Sequence, residues 1–247
     1  MEKLLKIDFH IHTMEDEDNH IDYTSYELID QAAALSFDAI AITNHDLMIY
    51  DEKLVTYAKE KGVILFPGVE RSIDHKHVLL INFSEIESLN TYETIQKAKN
   101  DDNLVIAPHP FFPGMQSLGK DMYSQSKLFD AIEFCHFYNP RLNFNREAIR
   151  YAKQYSLPLI GGSDAHVREQ FGRCYSLVKS EKNKIAIIKA IKKGHVQVVA
   201  PPLRLGKMIL IYLKILSNKP GLKRALVRVQ GILNRLRRIS ETRKYLR

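Results

Sequence analysis

The chain has few cysteines and no long apolar run, and each absence excludes something. Cys135 and Cys174 are the only cysteines among 247 residues. Two cysteines cannot build a disulfide framework, and neither sits in a C-x-x-C. A reducing cytoplasm is the simplest compartment for such a sequence. No apolar run reaches the roughly eighteen residues that a membrane-crossing helix needs. Met1–Lys6 leads straight into a strand-like segment, without the apolar stretch or cleavage site of a secretory signal. The absence of a G-x-G-x-x-G and of a Walker A loop removes support for a nucleotide-binding open sheet. There is no fixed-period repeat and no low-complexity stretch.

What is present is ordinary for a globular chain: 45% hydrophobic and 26% charged residues. The length suits one domain, or one domain with a short appendage. Charge is unevenly spread. Residues 203–247 hold thirteen Lys and Arg against one Glu, a net of +12, whereas residues 1–202 hold twenty-three basic and twenty-eight acidic residues, a net of −5. Composition changes at Pro201-Pro202, so the sequence divides into a body, 1–202, and a basic extension, 203–247.

Within the body, short β-branched runs alternate with helix-period segments. Strands are expected at Leu4–Phe9, Ala39–Thr43, Val63–Phe66, Val78–Phe83, Leu104–Ala107, Ala131–Cys135 and Leu157–Ile160. Val78–Phe83 is placed to form a hairpin with the segment after Glu70. Helices are expected at Ser25–Ser36, Asp51–Lys61, Thr91–Asp101, Asn143–Tyr155 and Lys182–Lys193, the first capped by Thr24 or Ser25 and the second stopped by Gly62. Strands separated by helices imply βαβ units and a largely parallel sheet, and about seven repeats fit a closed barrel better than an open sheet.

The chemistry-bearing residues recur at the ends of these strands. His10-Ile11-His12 follows the first strand, and in extended chain residues i and i+2 share a face, so both imidazoles can reach one ion. His45-Asp46 follows AIAIT, Glu70 follows the next strand, His109 lies in Ala-Pro-His-Pro, and Asp164 and His166 lie in Gly-Gly-Ser-Asp-Ala-His. In a β/α barrel the C-terminal strand ends converge on one mouth, where distant residues meet. A buried carboxylate is costly without a cationic partner, and a metal ion is one of few that suffice. Imidazole with carboxylate suits Zn, Mn or Fe, and the lack of cysteine disfavours a closed structural zinc site. Glu70 is the candidate bridge between two ions, an arrangement that activates water and clamps a phosphoryl oxygen, which is hydrolytic chemistry.

The motifs His10-Ile11-His12-Thr13, Ala41-Ile42-Thr43-Asn44-His45-Asp46, Gly68-Val69-Glu70, Ala107-Pro108-His109-Pro110 and Gly162-Ser163-Asp164-Ala165-His166 together resemble the PHP family, the polymerase and histidinol phosphatase domain. The resemblance spans residues 7–166. It implies a distorted (β/α)7 barrel, a dinuclear or trinuclear metal site with two or three divalent ions, and phosphoester hydrolysis. It further implies that His10, His12, Glu70 and Asp164 hold one ion, and that Glu70 bridges to a second ion held by His77 and His109. A third ion falls to His45, His166 and a residue of the loop after His12. There the sequence departs from the family's Ser-Asp-Gly and reads Thr13-Met14-Glu15-Asp16-Glu17-Asp18-Asn19-His20. Counting back from His45 by the family's spacing gives His20, with Asp18 and Asp16 as rivals; His75 rivals His77. Asp46 is read as an acid/base or as a partner orienting a ligand histidine. Arg141 is read as a phosphate clamp or a surface helix-start residue, with Arg168 and Arg173 of similar standing. His136 follows AIEFC and either lines the site or packs.

The expected substrate is a phosphomonoester or a nucleotide or oligonucleotide phosphoester. The alternative is a non-catalytic metal-binding module anchored by its basic tail; an amidohydrolase fits the Ser-Asp-Ala-His and Gly-Val-Glu motifs poorly. In the extension, Lys207–Leu216 is apolar with interspersed Lys, and Gly221–Arg238 carries Leu and Val at helical spacing between Arg and Lys. Such a basic amphipathic segment suits packing on the barrel, an anionic membrane surface or a nucleic-acid backbone. No aromatic stacking platform accompanies the charge, which weakens the single-strand case.

Overall fold

A computed structural model describes residues 2–218. The expected helical stretch at Gly221–Arg238 lies outside the described residues.

Ten strands form two five-stranded sheets. β1 (Lys3–Asp8), β2 (Ala39–Ala41) and β3 (Ile64–Phe66) join β9 (Tyr175–Ser180) and β10 (Val196–Val199) in the order β10-β9-β1-β2-β3. β4 (Gly68–Ile73), β5 (Lys76–Ile81), β6 (Leu104–Ala107), β7 (Ala131–Cys135) and β8 (Leu159–Gly162) form the second sheet in sequence order. The helices are α1 (Ser25–Ala34), α2 (Glu52–Glu60), α3 (Tyr92–Ala98), α4 (Asp121–Ser124), α5 (Asn145–Gln154), α6 (Lys184–Lys192) and α7 (Leu205–Asn218).

One expectation is corrected. The ladders are not largely parallel: β1-β2, β2-β3, β6-β7 and β7-β8 are parallel, whereas β1-β9, β9-β10, β4-β5 and β5-β6 are antiparallel. The hairpin turn Asp74-His75, both at positive φ, reverses the chain between β4 and β5, so no helical crossover intervenes there. Nor do the named strands close one continuous ring of hydrogen bonds. The two sheets instead meet through isolated bridges, His45 to Glu70 on one side and Ile11 to Ala165 on the other.

The alternation of side chains explains the layering. Leu5, Ile7, Phe66, Leu79, Ile81, Leu104, Ile106, Ala131 and Ile160 meet in one buried cluster between the sheets. Their neighbours of opposite parity face outward. Val69, Val78, Leu80, Val105 and Ile132 pack against Ile95, Met122, Ala148 and Tyr151 of α3, α4 and α5. Ile40, Ile42 and Leu65 pack against Leu28, Ile29, Leu54 and Ala58 of α1 and α2. β2 and β6 are thus buried on both faces, which is why they read as unbroken apolar runs. Helix starts are fixed locally: Thr24 and Glu27 form a reciprocal capping box, and Asp51 and Asn183 accept from the third helical N–H of α2 and α6.

Inward parity places polar side chains where the apolar core ends. Val69 faces outward, so Glu70 faces in; Leu79 faces in, and so does His77; Ala131 faces in, and so does Glu133. The inner volume above the hydrophobic cluster is therefore lined with histidine and carboxylate.

Candidate metal centre

Glu70 lies at the centre, 1% exposed, with imidazole nitrogens around both of its oxygens. Oε1 faces His77 Nδ1 at 2.8 Å, His109 Nε2 at 3.2 Å and His10 Nε2 at 3.4 Å. Oε2 faces His45 Nε2 at 3.2 Å and His12 Nε2 at 3.3 Å. Asp164 Oδ1 adds a second carboxylate, 3.4 Å from His10 Nε2 and 3.5 Å from His12 Nε2. His166 lies beside it, with ring centroids 4.2 Å from His12.

Carboxylates beneath the cluster set the orientation of these rings. A carboxylate oxygen only accepts, so each ring nitrogen against one carries the proton. Glu133 Oε1 accepts from His10 Nδ1 at 2.9 Å, and its other oxygen accepts the backbone N–H of His109 at 2.7 Å. Asp16 Oδ2 accepts from His12 Nδ1 at 2.7 Å and from His45 Nδ1 at 2.8 Å. His10, His12 and His45 consequently turn their Nε2 lone pairs toward Glu70. His166 spends Nδ1 on the Asp164 carbonyl, which leaves Nε2 for the cluster.

These residues fit divalent ions. Ligand bonds of about 2.1 Å place adjacent donors about 3 to 3.5 Å apart, the spacing found here. His10 Nε2, His12 Nε2 and His77 Nδ1 are fully buried and make no hydrogen bond, because their approach to the carboxylates is off the donor direction. Among the described residues, four overlapping trios have donors within 4.8 Å of one another: His12-His45-His166, His10-His12-Glu70, His10-His109-Asp164 and His45-Glu70-His77.

Protonation tells the same story. Burial opposes charge on His10, yet Glu133, Asp164 and Glu70 outweigh it and hold its pKa well above the ordinary value. His12 and His109 are raised in the same way, against burial, by Asp16 and Glu70 respectively. Glu70 and Asp164 are held well below the carboxylate range despite burial, chiefly by His77 and His10 in turn. The carboxylates draw cations to this spot, and divalent ions can replace the protons. Beneath His10, Asp8 Oδ1 accepts the backbone N–H groups of His10 and Ser163, and burial pushes its pKa up to about 7.

The local backbone is shaped to this end. His109 and Asp164 hold positive φ, an uncommon conformation for these residues that aims the side chain off the strand end. Gly162 has no room for a side chain: a Cβ there lies 2.2 Å from Glu133 Oε1 and 2.9 Å from His10 Cβ.

Of the residues singled out in the sequence, His10, His12, His45, Glu70, His77, His109, Asp164 and His166 come together. His75 stays exposed in the hairpin turn. His20 is exposed and belongs to none of the trios. In its place Asp16 is drawn in beneath His12 and His45, and Asp18 and Asn19 line the cavity. Asp46 points away, accepting from Arg71 Nη1 at 3.0 Å and from Ser72 N at 2.9 Å. Arg141 is exposed and does not line the cavity; Arg168 pairs with Glu27. Sequence reasoning missed Glu133, although a carboxylate at inward parity within AIEFC was a usable signal.

The cluster opens into a cavity of about 360 Å³. Phe112, Phe137, Tyr212 and Ile215 also line it, and among the described residues no Lys or Arg does. Cys135 also borders it, but burial pushes its thiol far up, so it stays protonated. His136 is buried and lines it too. Gln170 Oε1 accepts two backbone N–H groups, from His166 and Val167, both at 3.1 Å. Its Nε2 must then donate to the Asp164 carbonyl at 3.1 Å and to His136 Nε2 at 2.9 Å. His136 is therefore neutral, with its proton on Nδ1, and that N–H has no protein partner. Burial pushes the His136 pKa down to about 4.

A family model described as PHP-associated matches residues 143–196. An uncharacterized protein of Methanocaldococcus jannaschii is 29% identical over 104 residues, 41% of this chain and 60% of that one, so the chain spans less than two thirds of this relative. A solved two-domain protein of Bacteroides vulgatus, containing a predicted PHP-like metal-dependent phosphoesterase, superposes with a TM-score of 0.62 at 20% identity, over 87% of this chain and 71% of that one. PsfC of Pseudomonas syringae gives 0.57 at 16% identity, over 83% and 95%. The chain thus resembles a PHP-associated family over residues 143–196 and shares its fold with these two structures.

Proposed function

We propose that the protein is a PHP-type metal-dependent phosphoesterase that hydrolyses a phosphomonoester, or the phosphoester of a nucleotide or short oligonucleotide, by activated water. The observation that carries this reading is Glu70, buried and ringed on both oxygens by five imidazoles. Such a carboxylate is suited to bridge ions. Divalent cations at a site of this kind lower the pKa of water and neutralise phosphoryl oxygens.

The chain's own residues do the rest. His10, His12, Glu70 and Asp164 form one donor set, and Glu70 with His77 and His109 a second. His45 and His166 form a third with a loop residue; Asp18, which lines the cavity, fits that role better than His20, which does not. Two or three ions of Mn, Zn or Fe suit these donors. Glu133 and Asp16 hold the ring tautomers, so that no reorientation is needed during the reaction. Since no Lys or Arg among the described residues lines the cavity, phosphate charge is balanced at the cluster, and Asp46 and Arg141 take no direct part. His136 offers a neutral N–H to a substrate oxygen. Phe112 and Phe137 exclude water and receive the organic part of the ester. In this reading the two sheets are halves of one distorted seven-unit barrel, residues 1–202 form the catalytic body, and the enzyme works in the cytoplasm.

The test is elemental analysis of purified protein, paired with Mn-supplemented hydrolysis of p-nitrophenyl phosphate and bis-p-nitrophenyl phosphate. Bound transition metal, turnover abolished by chelator, and loss of turnover in His10→Ala/Asp164→Ala protein are expected. Preference between the two esters separates monoesterase from diesterase chemistry. Undiminished hydrolysis by the double variant would overturn the assignment.

A further inference from the structure

α7 has two apolar faces, and only one is used. Its inner face, Met208 and Ile211, packs with Leu203 against Val167, with Phe137 and Ile215 alongside. Lys214 pairs with Glu169 and ties the helix to the body. Tyr212 and Ile215 reach the cavity wall. The outer face carries Leu205, Ile209, Leu210 and Leu213, exposed by 51%, 53%, 55% and 56%. Positions 205, 209 and 213 are one helical turn apart with 210 beside them, so the four form one stripe. An aliphatic stripe of this kind on an otherwise ordinary surface marks a contact site.

The surrounding charge selects the occupant. Lys207 is one helical turn from Leu210, and the sequence that follows α7, residues 219–247, holds ten Lys and Arg against one Glu. Aliphatic side chains flanked by dense positive charge match the boundary between acyl chains and anionic headgroups. Nucleic acid rewards the charge but offers nothing to Leu and Ile. A second copy of the chain would bring two extensions of net +12 together, and like charges oppose that. No helix among the described residues is long and apolar enough to cross a membrane.

We propose that the outer face of α7, with the basic sequence that follows it, docks the protein onto an anionic lipid bilayer. Tyr212 and Ile215 belong to the same helix, so docking brings the bilayer to the rim of the cavity. If the phosphoesterase reading holds, esters at the bilayer surface become the substrates nearest to hand. The docking itself does not depend on that reading.

The experiment is co-sedimentation of the full chain with vesicles of phosphatidylcholine, with and without phosphatidylserine, for wild type and Ile209→Asp/Leu213→Asp. Wild type should sediment with the anionic vesicles, and the double variant should bind at least about tenfold more weakly, since two charges replace two buried aliphatics at the interface. Hydrolysis of p-nitrophenyl phosphate in solution, or an unchanged circular dichroism spectrum if neither protein is active, verifies that the variant is folded. The proposal is overturned if wild type ignores anionic vesicles or if the variant binds them equally well. It is also overturned if an oligonucleotide, but not soluble phosphoserine, displaces the protein completely, or if the stripe proves to be covered by a second copy in analytical ultracentrifugation.

Discussion

Asp16 carries more of the site than any other residue outside the donor sets, and its replacement by asparagine is the most searching perturbation. Its Oδ2 accepts three N–H groups: His12 Nδ1 at 2.7 Å, His45 Nδ1 at 2.8 Å and the His45 backbone at 3.1 Å. Its Oδ1 accepts the Asp18 backbone N–H at 3.0 Å. Although burial works the other way, the two imidazoles hold its carboxyl far below the usual range. Asparagine has one acceptor oxygen. If that oxygen takes the Oδ2 position, the amide NH2 faces the Asp18 N–H; if it takes the Oδ1 position, the NH2 faces three donors. Both orientations set donor against donor, and neither supplies the negative charge that makes the imidazoles good ligands. Loss of a partner of this kind costs about 10- to 100-fold in metal affinity, or about 1.4 to 2.7 kcal/mol. The loss should be selective. Ions contacted by His12 and His45 should weaken, while His109, at Glu70 Oε1, rests on Glu133 and Ser117 and should keep its ion. Equilibrium dialysis against Mn with a competing chelator measures this. An unchanged affinity at every site would refute the claim that Asp16 orients two ligands, and a collapse of all binding would refute the division of labour with Glu133.

Two further outcomes follow from packing and from titration. Gly162→Ala puts a methyl group 2.2 Å from Glu133 Oε1, so the carboxylate must leave His10 or the strand must shift. A destabilisation of about 1 to 3 kcal/mol by denaturant titration, together with reduced metal content, is expected; a neutral result would mean that Glu133 has room to move. His136 is buried with its pKa lowered to about 4, so between that value and 6.5 the unfolded chain binds more protons than the folded one. The stability of the neutral ring is thus fully present above 6.5 and is lost as pH falls toward 4. Relative to wild type, His136→Gln should gain about 3 kcal/mol over that interval, measured by urea titration in chelator; parallel curves for the two proteins would rule out a buried neutral imidazole.

Much of the site was readable in the sequence because it is built from strand ends. Leu104–Ala107 and Ala131–Cys135 coincide with β6 and β7, and the residues just beyond such runs point into the mouth whatever the details of the sheet. β9 and β10 were not read. Tyr175–Ser180 and Val196–Val199 are partly exposed, polar-interrupted runs that gain their order by pairing with β1 and with each other. Glu133 escaped notice because a single carboxylate in a strand has no motif of its own; only inward parity betrays it. His20 was chosen by counting along the chain, and a count cannot see that the loop folds Asp16 inward. The hairpin of β4 and β5 was expected from Val78–Phe83 following Glu70 after a polar turn, and Asp74 and His75 supply its left-handed backbone.

The division into two sheets gives the cluster a mechanical meaning. His10 and His12 follow β1 and His45 follows β2, in the first sheet; Glu70, His77, His109, Glu133 and Asp164 lie on or just after strands of the second. Only isolated bridges cross between the two ladders at this end. Ions held by donors from both sides would act as rivets through the seam. Because ligand binding energy adds to folding energy, filling the site and clamping the two halves together would be one and the same event. A cell poor in the right metal would then hold this protein not merely idle but loosely joined.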